Sequence, residues 1–184
     1  MKNRLADCFD EAVEVSLQKK DPDDIDKQLN KYLADAHAIE KQAIHLLEKG
    51  QGISGDDQLA SLLAEHLEET KEHEHLVQQR LTARDGRTNW LKDAALSLGA
   101  LNWGGFFAAH PDTPGKLCAF AFAFEHLEIG GYELLRRVAE RAADGHTIQM
   151  AESILAQERA ASGKLEIALN RAVDASLQEQ GVAV

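Results

Sequence analysis

His66-Leu67-Glu68-Glu69-Thr70-Lys71-Glu72-His73 lies inside a helical pattern whose apolar residues are Leu59, Leu62, Leu63, Leu76, Val77 and Leu81. Steps of three and four along that stripe pass through His66, Glu69, Thr70 and His73. A carboxylate and two imidazoles therefore occupy positions where a core helix carries Leu. Buried ionisable groups are costly unless they are paired or bound to a metal. A Glu and a His one turn apart, both facing inward, point to a metal site inside a helix bundle.

Three further long helices carry the same signature. The spacing predicts helices over about 23–49, 56–84, 114–143 and 147–176, each with one Glu on its apolar stripe: Glu40, Glu69, Glu128 and Glu158. Phe120-Ala121-Phe122-Ala123-Phe124 alternates like a strand, but Leu117, Ala121, Phe124, Glu128 and Leu135 keep helical step over a longer span. Glu40 and Glu69 are 29 positions apart, Glu128 and Glu158 are 30 apart, and His37-x-x-Glu40 answers Glu125-x-x-Glu128. Two helix pairs related by a near-repeat, packed antiparallel, bring four carboxylates to one level, as in di-iron and di-manganese carboxylate proteins. Two divalent cations would neutralise them, and oxygen ligands with one or two imidazoles suit iron or manganese, with zinc also admissible.

The boundaries follow from turn chemistry. Asp21-Pro22 separates an N-terminal helix over about 3–19, with Leu5, Phe9, Val13 and Leu17 on one face, from the bundle at 23–176. A crossover at about 85–113 carries Trp90, Trp103, Phe106 and Phe107, enough aromatic surface to roof the bundle or meet a second copy. Residues 177–184 read as a frayed tail. Three prolines and a formal charge of −11 fit an all-helical protein and argue against nucleic acid or an anionic membrane as partner. The most apolar region, Leu101 to Phe124, is broken by His110, Pro111, Asp112, Pro114 and Lys116, so no membrane span is expected. No signal peptide is visible at Met1-Lys2-Asn3-Arg4-Leu5, and Cys8 and Cys118 make no zinc or redox spacing, so a cytoplasmic protein is expected.

Other ionisable and aromatic residues have plainer readings. Glu72-x-x-His75 spells a metal motif, but it points away from the stripe and belongs to a solvated face with Glu65, Glu68 and Glu74. His66, His37 and His126 read as core or ligand-supporting histidines. Tyr32 and Tyr132 read as core packing.

Tyr32-Leu-Ala-Asp-Ala-His-Ala-Ile-Glu-Lys-Gln42, His66-Leu-Glu-Glu-Thr70, Glu125-His-Leu-Glu-Ile-Gly-Gly-Tyr132 and Gln157-Glu-Arg-Ala160 resemble the ferritin-like stress proteins of the YciE/YciF type over roughly residues 25–172. The resemblance implies a ferritin-like four-helix bundle, commonly dimeric, with a dinuclear metal site. The chain departs from the general ferritin-like pattern of Glu-x-x-His on two helices. Glu69 is followed by His73 one position late, and Ser162 stands where related sequences often carry an acid. A symmetric two-metal site is therefore not expected; one ion would be well held and the other weakly.

The expected ligands are Glu40, Glu69, His73, Glu128 and Glu158, with Glu125 as an additional carboxylate and with Glu69 and Glu128 bridging. The first functional reading is a homodimeric redox metalloprotein with two iron or manganese ions that reacts with dioxygen or peroxide in stress protection. The alternative is a structural stress-response protein whose metal only stabilises the bundle, or whose site is vestigial. An iron-storage cage is disfavoured, because the N-terminal helix and crossover are not evident cage contacts.

Overall fold

The computed structural model describes residues 24–85 and 113–183. They form four long helices, α1 (Asp24–Ile53), α2 (Asp57–Asp85), α3 (Thr113–Arg141) and α4 (Gly145–Glu179), with no strand among the described residues. The Phe120–Phe124 stretch is helical. α4 runs past the expected end at 176 to Glu179. The stretches expected to form an N-terminal helix and an aromatic crossover lie outside the described residues. No described helix is long and apolar enough to cross a membrane.

Side-chain ties fix the helix directions. At one end Arg84 on α2 reaches Asp26 and the Asn30 side-chain oxygen at the start of α1, both at 2.7 Å. Arg84 also pairs with Asp144, which Arg80 meets at 2.5 Å, at the start of α4. At the other end Arg171 on α4 holds Asp56 before α2 at 2.8 Å, and the Gly115 N–H on α3 donates to Ser176 Oγ at 2.8 Å. α1 therefore runs parallel to α4 and α2 parallel to α3, while α1/α2 and α3/α4 are antiparallel hairpins. α2 ends and α3 begins at opposite ends of the bundle, the ferritin-like order with one long crossover connection.

The core is apolar at both ends and polar in the middle. Leu29, Leu33, Val77, Leu81, Leu135 and Ile154 fill one end. Leu47, Leu59, Leu63, Leu117, Cys118 and Leu165 fill the other. The heptad-like run Leu59, Leu63, His66, Thr70, His73, Val77 and Leu81 is buried along the length of α2, and its three middle members are polar. Glu40, Glu125, Glu128, Glu158 and Ser162 lie buried at the same level.

Asp144 links α2 and α4. Its side chain caps α4 by accepting from the Thr147 N–H at 3.0 Å, while Arg80 and Arg84 approach from α2. Burial alone would raise its carboxyl, but Arg80, the Thr147 amide and Arg84 outweigh it and hold it at about 2, below the ordinary 3.8. A depressed folded-state value stabilises at neutral pH, here by about 2 kcal/mol. That contribution is complete above about pH 4 and is lost as pH falls through about 2. Denaturant titrations should show Asp144→Asn destabilised at pH 7 and the gap to wild type closing towards pH 3; a gap constant with pH would remove the charge from the explanation.

Candidate metal centre

All four helices contribute to the polar layer, α1, α3 and α4 from one turn each and α2 from two successive turns. α1 supplies Glu40 and α4 supplies Glu158, both fully buried; α3 supplies Glu125 and Glu128, and α2 supplies His66 and His73. His66, Glu125, Glu128 and Glu158 each offer one ligand atom, and these atoms lie within 4.8 Å of one another; Glu40, His73 and Glu158 do the same. Glu158 belongs to both groups.

The distances show how the groups interlock. His66 Nε2 is 2.9 Å from a Glu125 oxygen and 3.7 Å from Glu158 Oε2. His73 Nδ1 is 2.7 Å from Glu158 Oε1 and 3.9 Å from Glu40 Oε1. These inner nitrogens lack the linear approach of a hydrogen bond. Among the described residues eight buried atoms here have no hydrogen-bond partner: Glu40 Oε2, His66 Nε2, His73 Nδ1, Glu125 Oε2 and both oxygens of Glu128 and Glu158. Such atoms cost on the order of 1–3 kcal/mol each when left unsatisfied, and more when charged. A hard or borderline divalent cation satisfies several of them at once, so the donor set fits a metal.

The electrostatics have the same cause. Burial pushes Glu40 up to about 8 and Glu125 to about 7. Burial, then the charges of Glu40, Glu158 and Glu125, raises Glu128 well above the carboxylate range. Burial would lower His66, but Glu125, Glu158 and Glu69 outweigh it and lift the imidazole to about 9. His73 is likewise raised against burial, by Glu158 and Glu40. Glu158 is lowered although burial opposes this, because it faces both imidazoles. Without metal, protons hold the cluster near neutrality; with metal, cations take that role.

Residues 24–178 match the protein family described as "Domain of unknown function (DUF892)". The chain belongs to this family. Among solved structures it is similar to a protein of Xanthomonas campestris pv. campestris, with a TM-score of 0.70 and 27% identity, covering 86% of this chain and 99% of that one. It is also similar to the E. coli stress protein YciF, with a TM-score of 0.64 and 22% identity, covering 82% and 96%. That second likeness establishes the fold.

In this DUF892 chain five of the six expected ligands, Glu40, His73, Glu125, Glu128 and Glu158, meet in the two groups. Glu69 does not join them. Its carboxylate is partly exposed and bonds the outer nitrogen of His66, Nδ1, at 3.1 Å. The reason is helical phase: the buried seam passes through Thr70, and Glu69 is rotated by about 100° from it. Thr70-x-x-His73 thus stands where a Glu-x-x-His would place its Glu. Thr70 returns its hydroxyl to the His66 carbonyl at 2.9 Å. The residue shared between the groups is Glu158, where Glu69 and Glu128 were expected to bridge.

Reading by residue type passed over three contacts. His66 faces the carboxylates directly. Tyr132 packs in the apolar end, and its hydroxyl also donates to Glu40. Gln157 takes the outer nitrogen of His73 at 2.6 Å. Adjacency of Gln157 to Glu158 was the only local signal for the last. Glu74, expected on the solvated face, is half-buried and holds His37 Nε2 at 2.7 Å. Glu72 and His75 are exposed, as their phase predicts. Ser162 is buried beside His126, with Oγ 3.3 Å from Nδ1, and belongs to neither donor group. A narrow cleft between α2 and α4 is lined by Leu62, Leu63, His66, Glu69, Ala161 and Lys164.

Proposed function

We propose that the centre binds two divalent ions, iron or manganese, and that the loaded protein reacts with dioxygen or peroxide as a cytoplasmic homodimer in stress protection. The observation that carries the metal reading is the set of eight buried ligand atoms without a hydrogen bond among the described residues, arranged in two groups that share Glu158. His66, Glu125, Glu128 and Glu158 would hold one ion, and Glu40, His73 and Glu158 the other. Bound iron or manganese supplies Lewis acidity and one-electron redox chemistry. Zinc fits the donors but supplies only the first of these.

The chain's own residues do the rest. Four carboxylates balance the charge of two divalent ions. The apolar ends of the bundle exclude water from above and below the polar layer. The Tyr132 hydroxyl donates to Glu40 and fixes the orientation of that carboxylate. A buried phenol beside a metal ligand is also placed to exchange an electron and a proton with the centre, which favours the redox reading over a purely structural one.

Protein purified without chelator should carry two iron or manganese ions per chain, measured by elemental analysis. No bound metal after reconstitution with ferrous, manganous or zinc ion would overturn the reading. Ferrous-loaded protein should then consume peroxide or dioxygen faster than free ferrous ion, and loaded but inert protein would leave the structural role. Light scattering at micromolar concentration tests the dimer.

A further inference from the structure

Each imidazole of the centre has an inner and an outer nitrogen, and the two rings are turned opposite ways. His66 presents Nε2 to Glu125 and Glu158 and ties Nδ1 to Glu69 at 3.1 Å. His73 presents Nδ1 to Glu158 and Glu40 and ties Nε2 to the Gln157 side-chain oxygen at 2.6 Å. A carboxylate oxygen and an amide oxygen only accept. With a cation in place, each outer nitrogen therefore carries the hydrogen and each inner nitrogen offers its lone pair to the ion.

The two outer partners differ in charge. A carboxylate draws the outer hydrogen strongly and makes the ring a better electron donor to a metal, whereas a neutral amide orients the ring without that gain. Both partners sit at the rim of the layer: the Glu69 side chain is 31% exposed and Gln157 is exposed. They act on the ions only through the rings they hold. We propose that Glu69 and Gln157 are positioning residues that make the two ion positions unequal. Glu69 strengthens His66, so the ion at His66, Glu125, Glu128 and Glu158 is the tighter one. Gln157 leaves the ion at Glu40, His73 and Glu158 the weaker one. This rests on the dinuclear reading above and gives its asymmetry a cause in two residues outside the donor groups.

The test is anaerobic titration of metal-free protein with manganous ion, the free ion being read by electron paramagnetic resonance. Glu40→Gln and Glu125→Gln backgrounds isolate the His66 and His73 positions respectively. In the Glu40→Gln background, Glu69→Gln should weaken binding roughly 10- to 100-fold, as loss of such outer partners typically does. Glu69→Ala, which removes the acceptor altogether, should weaken it further. In the Glu125→Gln background, Glu69→Gln should change nothing, and Gln157→Glu should tighten binding about tenfold. Helical content and metal-free melting temperature report whether each variant folds. Glu69→Gln having no effect at the His66 position, or shifting both positions alike, overturns the inference. Equal loss in Glu69→Gln and Glu69→Ala would make Glu69 itself a ligand and overturn it as well. Wild-type protein that takes up no manganous ion overturns the dinuclear reading and this inference together; two ions bound with an indifferent Glu69 overturn this inference alone.

Discussion

Glu158→Gln is expected to abolish the uptake of both ions, whereas no other single ligand substitution should do so. Glu158 is the one residue common to the two donor groups, and its two oxygens face different imidazoles, Oε1 towards His73 and Oε2 towards His66. The amide keeps the volume but replaces one acceptor oxygen with a donor and removes the charge. Glu40→Gln should cost only the ion on the His73 side, and Glu125→Gln only the ion on the His66 side. Metal content by elemental analysis should thus read near zero for the first variant and near one per chain for the other two. Glu72→Ala and His75→Ala, both exposed, should bind as wild type does. Metal stabilises the folded state by about 3 kcal/mol at a hundredfold excess over Kd, so the melting gain on adding metal should vanish in Glu158→Gln. Two ions retained in Glu158→Gln would refute the shared ligand.

The second large effect is opposite pH dependence of the metal-free and metal-loaded protein. Without metal, Glu40 at about 8, Glu125 at about 7 and His66 at about 9 all lie above their ordinary values of 4.5 and 6.5. The folded chain then binds more protons than the unfolded chain from about pH 5 to about pH 9, so stability falls as pH rises through that window. For the carboxyls the loss begins above their ordinary values and is complete beyond their raised ones. For His66 the contribution is whole below 6.5 and is lost through about 9. Metal binding must displace these protons, and each one displaced makes affinity climb about tenfold per pH unit. The melting temperature of metal-free protein should therefore drop between pH 6 and pH 8.5, while the gain on adding manganous ion at fixed concentration grows. A gain that shrinks or stays level over that range would show that the ions do not take the place of these protons.

What the sequence by itself determined is local. Steps of three and four placed all four long helices, because burying one face of a helix leaves that period in the chain. The same period marked Glu40, Glu128 and Glu158, since a lone carboxylate in an apolar seam needs a buried partner. It could not separate Glu69 from Thr70. Both fall on a three-or-four step from His66, and only the packing of α2 against its neighbours sets which of them turns inward. Which residue is shared was also beyond it: Glu158 serves both groups because α4 lies antiparallel beside α2 with Glu158 at a height between His66 and His73, a relation between helices that leaves no trace within either. The contacts of Tyr132 with Glu40 and of Gln157 with His73 join residues 92 and 84 positions apart. Periodicity tells which face of a helix is buried; the angle and height at which four helices meet decide which atoms touch.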